Sequence, residues 1–128
     1  MSDNQHFYLC EHCGNLSGLI HDSGVPMYCC GEPMKQLRAN PAEHSKEKHQ
    51  PVVRAQGNTV SVDVGQIPHP MDRDHSIPWV YLQTKHGGQR KSFTPGQEPS
   101  VSFALENDQA VAAFSYCNQH GLWKTEIV

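Results

Sequence analysis

Cys117-Asn118-Gln119-His120 places a thiolate and an imidazole three positions apart, close enough in the chain to meet on one metal ion. Further imidazoles stand at His49, His69 and His75. One soft sulfur with several borderline nitrogens suits iron, copper or zinc rather than calcium or magnesium, which prefer oxygen. Taken singly, a histidine in such a stretch is more often a surface or hydrogen-bonded residue than a ligand, and a lone intracellular cysteine is commonly a small buried hydrophobe. The chain, however, holds nine histidines in 128 residues, and four of them fall with Cys117 in three loops. That excess favours a metal site.

The other four cysteines lie in the first quarter, as Cys10-Glu11-His12-Cys13 and, after fifteen residues, Cys29-Cys30. A C-x-x-C turn presents two thiolates to one ion, and a second pair alongside completes a tetrahedral sulfur cage. Adjacent cysteines depart from the second C-x-x-C of a zinc ribbon and must distort the cage, which ranks iron above structural zinc. A zinc knuckle and a pair of disulfides are alternative readings of the same residues, the second weakened in a reducing compartment. His12, inside the first pair, is expected at the surface because four thiolates already fill a tetrahedral shell.

These residues must be carried by a small scaffold. With 37% hydrophobic residues, 128 residues can build a modest core, as one domain or as a small one joined to a larger. A net charge of −3 with scattered basic residues argues against a nucleic-acid partner. No apolar run is long enough for a membrane span, and the opening residues lack the pattern of a signal peptide, so the expected location is the cytoplasm.

Residues 1–37 show short apolar runs at Phe7-Tyr8-Leu9, Leu19-Ile20 and Met27-Tyr28, separated by glycines. So small a module needs metal to hold it together. Residues 38–46 are polar and aperiodic and read as a linker. From Gln50 onward the period is two: Val60, Val62 and Val64 alternate with polar neighbours, as do Val101, Phe103 and Leu105. Further strands are expected at 51–55, 77–84, 89–94, 110–116 and 122–127, with turns at Gly57-Asn58, Gly87-Gly88, Pro95-Gly96 and Asn107-Asp108. Seven short strands without an amphipathic helix predict an antiparallel β-sandwich, immunoglobulin-like in outline, over residues 47–128.

Cys10-x-x-Cys13 with Cys29-Cys30, then Glu47-Lys48-His49, His69-Pro70-Met71 with His75, Trp79, and Cys117-Asn118-x-His120 together resemble desulfoferrodoxin, the two-iron class of superoxide reductase. The likeness spans nearly the whole chain, with every motif in the family's order. It implies an all-β protein: a desulforedoxin-like domain whose iron is held by Cys10, Cys13, Cys29 and Cys30, then a catalytic sandwich. There a second iron would take four equatorial imidazoles, from His49, His69, His75 and His120, and an axial thiolate from Cys117. His44 and His86 receive no role.

Five protein ligands leave one position of an octahedral iron for a small anion, and a thiolate opposite it donates electron density along that axis. The reaction implied is superoxide, one electron and two protons giving hydrogen peroxide without dioxygen. Lys48 would attract superoxide to a negatively charged molecule and order a water for proton delivery; alone, it would be read as a solvated surface lysine. Glu47, by resemblance, is the carboxylate that takes the sixth position of ferric iron and displaces product. A rubredoxin-like electron donor and a homodimer are also implied. Two rival classes are a zinc-stabilised binding module and a non-haem iron oxygenase or dismutase; the second would more typically use two histidines and a carboxylate.

Overall fold

The computed structural model describes residues 5–40, 49–65 and 70–127. The chain divides into two compact units, Met1–Arg38 and Ala39–Val128.

The first unit contains β1 (His6–Leu9), β2 (Leu16–Leu19), β3 (Tyr28–Cys29), β4 (Glu32–Pro33) and β5 (Lys35–Leu37). β1 lies between β2 and β5, antiparallel to both, and β3 and β4 form a separate two-stranded hairpin. Among its described residues, Phe7 and Cys10 are the buried apolar ones, whereas Ile20, Val25 and Tyr28 are largely exposed. Burial of one aromatic side chain contributes only about 1.5–3 kcal/mol, too little to order this length of chain alone. The unit therefore depends on whatever its cysteines bind.

The second unit contains β6 (Pro51–Gln56), β7 (Thr59–Val64), β8 (Trp79–Thr84), β9 (Gly87–Ser92), β10 (Ser100–Ala104), β11 (Ala110–Cys117) and β12 (Gly121–Glu126). They form two antiparallel sheets, in the orders β10-β7-β6 and β12-β11-β8-β9. The expected alternation is seen on β7, where Val60, Val62 and Val64 turn inward beside Phe103 of β10. Val80 and Leu82 of β8, and Ala113 and Cys117 of β11, complete the core from the other sheet, with Ile77 and Phe93. β11 is paired on both edges and has buried residues on both faces, with a register shift between Ala110 and Ala112. This is the all-β sandwich the alternation predicts, and the end of its most buried strand carries Cys117.

One turn is displaced from its expected position. Gly87 and Gly88 lie in β9, and Lys85-His86 makes the connection instead. The glycine at 88 has a packing reason: a Cβ there would collide with the ring and hydroxyl of Tyr81 on the neighbouring strand. β8 begins two residues later than expected, after Pro78, although Phe93 still donates its N–H to the Pro78 carbonyl at 2.9 Å. Among the described residues, no helix is long and apolar enough to cross a membrane.

Two candidate metal centres

The first centre is built from two turns. Cys10 follows β1, and the chain from Cys10 to Asn15 closes through Cys10 N–H to Asn15 carbonyl and Gly14 N–H to Cys10 carbonyl, both 2.8 Å. Gly14, at φ +83°, takes the left-handed conformation that this tight reversal needs. The Cys13 N–H points at the Cys10 sulfur, 3.5 Å away.

Opposite it, Cys29 ends β3 and Cys30 enters the two-residue turn to β4. Cys30 has φ 53° and Gly31 φ 79°, the pair of left-handed residues that characterises a type I′ hairpin. This turn, rare for a residue other than glycine, accommodates the adjacent cysteines that the sequence alone expects to distort the cage. It brings both sulfurs toward Cys10 and Cys13.

All four sulfurs lie within 4.8 Å of one another, and Cys13 and Cys29 are 3.6 Å apart. Sulfurs arranged tetrahedrally at a bond length of about 2.3 Å would be about 3.8 Å apart, so the group fits one ion. The four are free cysteines, as expected in preference to disulfides. Their protons also show the conflict that a cation resolves. The Cys13 N–H brings the Cys10 thiol down to about 6, while hydrogen bonding to the sulfurs of Cys10 and Cys13 pushes Cys30 up to about 12. Four thiolates share such a space only around positive charge. His12 sits at the surface, its Nε2 3.0 Å from Glu32.

The second centre lies in the sandwich unit. Cys117, fully buried, ends β11, and His120, exposed, stands in the turn to β12; the sulfur is 3.6 Å from His120 Nδ1. Gly121 ends the turn at φ +84°. Asn40 braces it, donating its side-chain amide to the carbonyls of His120 at 2.7 Å and Leu122 at 3.1 Å.

His49, buried, lies just before β6 and stacks on Trp123 at 4.8 Å between centroids and 15° between planes. Its main-chain carbonyl accepts the Ser115 hydroxyl at 2.6 Å. His75 belongs to the connection between β7 and β8, its ring edge-on to His120 at 5.0 Å. Asn118 and Gln119 both donate to the Asp74 carbonyl, at 3.2 and 2.8 Å, and Asn118 Oδ1 accepts the Ser76 N–H at 3.1 Å. The chain on each side of His75 is thus tied to the Cys117–His120 turn.

The ligand atoms of His49, His75, Cys117 and His120 lie within 4.8 Å of one another. His49 Nε2 and His120 Nδ1 face each other at 3.1 Å, which leaves two lone pairs in conflict unless a proton or a cation lies between them. Adjacent nitrogens about 2.1 Å from a common metal are separated by about 3.0 Å, so the pair fits a metal equally well. Of the five residues expected around this ion, four converge; His69, like Glu47 and Lys48, lies outside the described residues.

Ser115, Trp123, Asn118, Gln119 and Asn40 were not foreseen as supports. Ser115 carried a faint signal, as a hydroxyl in an otherwise apolar strand. Trp79, which contributed to the resemblance, instead stacks on Tyr116 at 5.5 Å.

An antiparallel β-sandwich with an imidazole–thiolate group at one strand end, preceded by a four-cysteine unit, defines a non-haem metalloprotein with two centres. Residues 41–126 match the desulfoferrodoxin family model. Desulfoferrodoxin of Nitratidesulfovibrio vulgaris is 39% identical, covering 98% of this chain and 99% of its own, and a desulfoferrodoxin homolog of Archaeoglobus fulgidus is 38% identical with the same coverage. The crystal structure of the superoxide reductase from Treponema pallidum is 34% identical, with a TM-score of 0.83, over 98% of this chain and 100% of that one. A one-iron superoxide reductase from Giardia intestinalis is 31% identical, with a TM-score of 0.55, and covers 64% of this chain. The chain belongs to the desulfoferrodoxin family. Its two donor sets fit two iron centres, one of four thiolates and one of imidazoles with a thiolate.

Proposed function

We propose that this protein is a superoxide reductase, converting superoxide to hydrogen peroxide with one electron and two protons and releasing no dioxygen. The observation that carries this reading is the meeting of the buried Cys117 sulfur with the imidazoles of His49, His75 and His120 within 4.8 Å. Likeness over 98% of this chain to the superoxide reductase from Treponema pallidum supports it. His69, the remaining histidine of the family pattern, completes the imidazole set in this proposal.

Iron held by His49, His75, Cys117 and His120, with His69, would supply the single electron that superoxide accepts, and the thiolate would raise the electron density available for transfer. The chain does the rest. Burial of Cys117 keeps its sulfur from solvent and from the peroxide product, to which exposed thiolates are vulnerable. Trp123 and Ser115 fix the His49 ring and main chain, while Asn118 and Gln119 fix the His75 loop, so the donors are held in place before the ion arrives. The exposed His120 puts the group within reach of a small anion from solution. Lys48 attracts that anion and orders a water for proton delivery, and the Glu47 carboxylate displaces the product.

In the same proposal residues 1–37 form the Fe(Cys)4 domain, residues 38–46 the linker and residues 47–128 the catalytic domain. Iron held by Cys10, Cys13, Cys29 and Cys30 would serve either to pass single electrons to the second centre or to hold the small domain or a dimer together. A rubredoxin-like donor, a homodimer and a cytoplasmic setting complete it, supported by family membership and by five free cysteines, which suit a reducing compartment.

The test is superoxide consumption by the iron-loaded protein in the presence of reduced rubredoxin. The parent removes superoxide, and Cys117→Ser loses at least tenfold in rate. A parent that leaves superoxide untouched contradicts the proposal.

A further inference from the structure

Building on the reading of Cys10, Cys13, Cys29 and Cys30 as an iron site, we propose that Asn15 sets the reduction potential of that site by donating a side-chain amide hydrogen to the Cys29 sulfur. Asn15 Nδ2 lies 3.6 Å from Cys29 Sγ, within hydrogen-bond reach of a sulfur acceptor. The Cys10 sulfur has a comparable donor in the Cys13 N–H at 3.5 Å, but that one belongs to the main chain and is fixed by the turn. Asn15 supplies its donor from a side chain, so sequence can change it.

The turn does not need that side chain. Asn15 closes it through its main-chain carbonyl, which accepts the Cys10 N–H at 2.8 Å, and Gly14 supplies the left-handed residue. The Asn15 side chain is exposed and contributes nothing to the core. Its amide reaches from the first cysteine turn to the sulfur that ends β3. The contact therefore acts on the charge of that sulfur more than on the path of the chain.

Reduction moves one electron from an external donor to the iron, taking Fe(III) to Fe(II) with no proton required. The four-thiolate site becomes one unit more negative, and much of the added density rests on sulfur. A donor hydrogen bond is stronger to the more negative sulfur, so it stabilises the reduced form and raises the potential. Water screens an exposed contact, which limits the effect to a modest one.

The test is a reductive titration of the full-length, iron-loaded protein and of Asn15→Ala and Asn15→Asp, followed by the visible absorption of the sulfur-bound iron. In Asn15→Ala the equilibrium shifts about threefold to tenfold toward the oxidised form, tenfold being 59 mV for one electron. Asn15→Asp keeps the shape, loses the donor and adds a negative charge, so its shift is in the same direction and larger. Midpoints equal to the parent's in both variants overturn the role of Asn15 while leaving the iron site intact. Loss of iron from both variants, with the parent loaded, also overturns it by making Asn15 structural. A parent without a reversible sulfur-bound iron overturns this proposal and the reading it rests on together.

Discussion

The Ser115 hydroxyl donates to the main-chain carbonyl of His49 across 2.6 Å, with both residues almost wholly buried. It joins the most enclosed strand of the sandwich to His49, the one buried imidazole donor among the described residues. Replacing Ser115 with Ala removes a hydrogen bond between two buried groups, at a cost of about 1–3 kcal/mol. Urea unfolding is expected to show this loss, and the variant to hold its imidazole-bound iron less tightly than the parent under chelator challenge.

Metal removal should act unequally on the two units. The first buries little besides Phe7 and Cys10, whereas the second has a core drawn from both sheets. Binding at the four cysteines therefore contributes directly to folding of the first unit. On chelation, amide exchange is expected to accelerate by at least tenfold in β1, β2 and β5 while Val62, Val80 and Leu82 stay protected. Uniform exchange across both units would contradict this account.

The acid limb of stability has an identifiable contributor in Asp108. The Thr84 hydroxyl, then the backbone N–H groups of Gln109 and His86, hold its carboxyl below the ordinary value of 3.8. Because the folded state prefers the ionised form, the contribution is fully present above that ordinary value. It is lost as pH falls through it toward the lower, folded value. Asp108→Asn should unfold at a lower urea midpoint than the parent at pH 6, and the gap should narrow as pH is taken below 3.8.

Lys48 is proposed to draw superoxide toward a protein whose net charge is −3. Lys48→Ala is expected to slow superoxide consumption about threefold to tenfold at low ionic strength and to flatten its salt dependence. An unchanged rate at low salt removes the steering role.

Much of this molecule was legible in its residues, for reasons that particular elements make plain. β7 and β10 could be read because one face meets the core and the other meets water, so Val60, Val62 and Val64 alternate with polar neighbours. β11 is buried on both faces and offers no alternation, and its identity came from composition and flanking turns. Gly87-Gly88 misled because glycine has two uses: at 88 it makes room for Tyr81 across the pair instead of turning the chain.

Metal-binding chemistry narrows the choice of ligands to a few residue types, so the cysteines and histidines stood out by type and spacing. Their supports did not. Ser115 and His49 are 66 positions apart, and Asn40 and His120 80 apart, and a hydroxyl or an amide can accept or donate almost anywhere. The left-handed turn at Cys30 was hidden because it is set by the register of β3 with β4, while a cysteine ordinarily avoids that conformation.

The central claim is that Cys117 and its surrounding imidazoles reduce superoxide and do not dismute it. Product stoichiometry tests this most directly: a known amount of superoxide is given to the iron-loaded protein with excess reduced donor, and peroxide and dioxygen are measured together. One peroxide per superoxide with no dioxygen evolved is the predicted result. Half as much peroxide, matched by an equal amount of dioxygen, would contradict it.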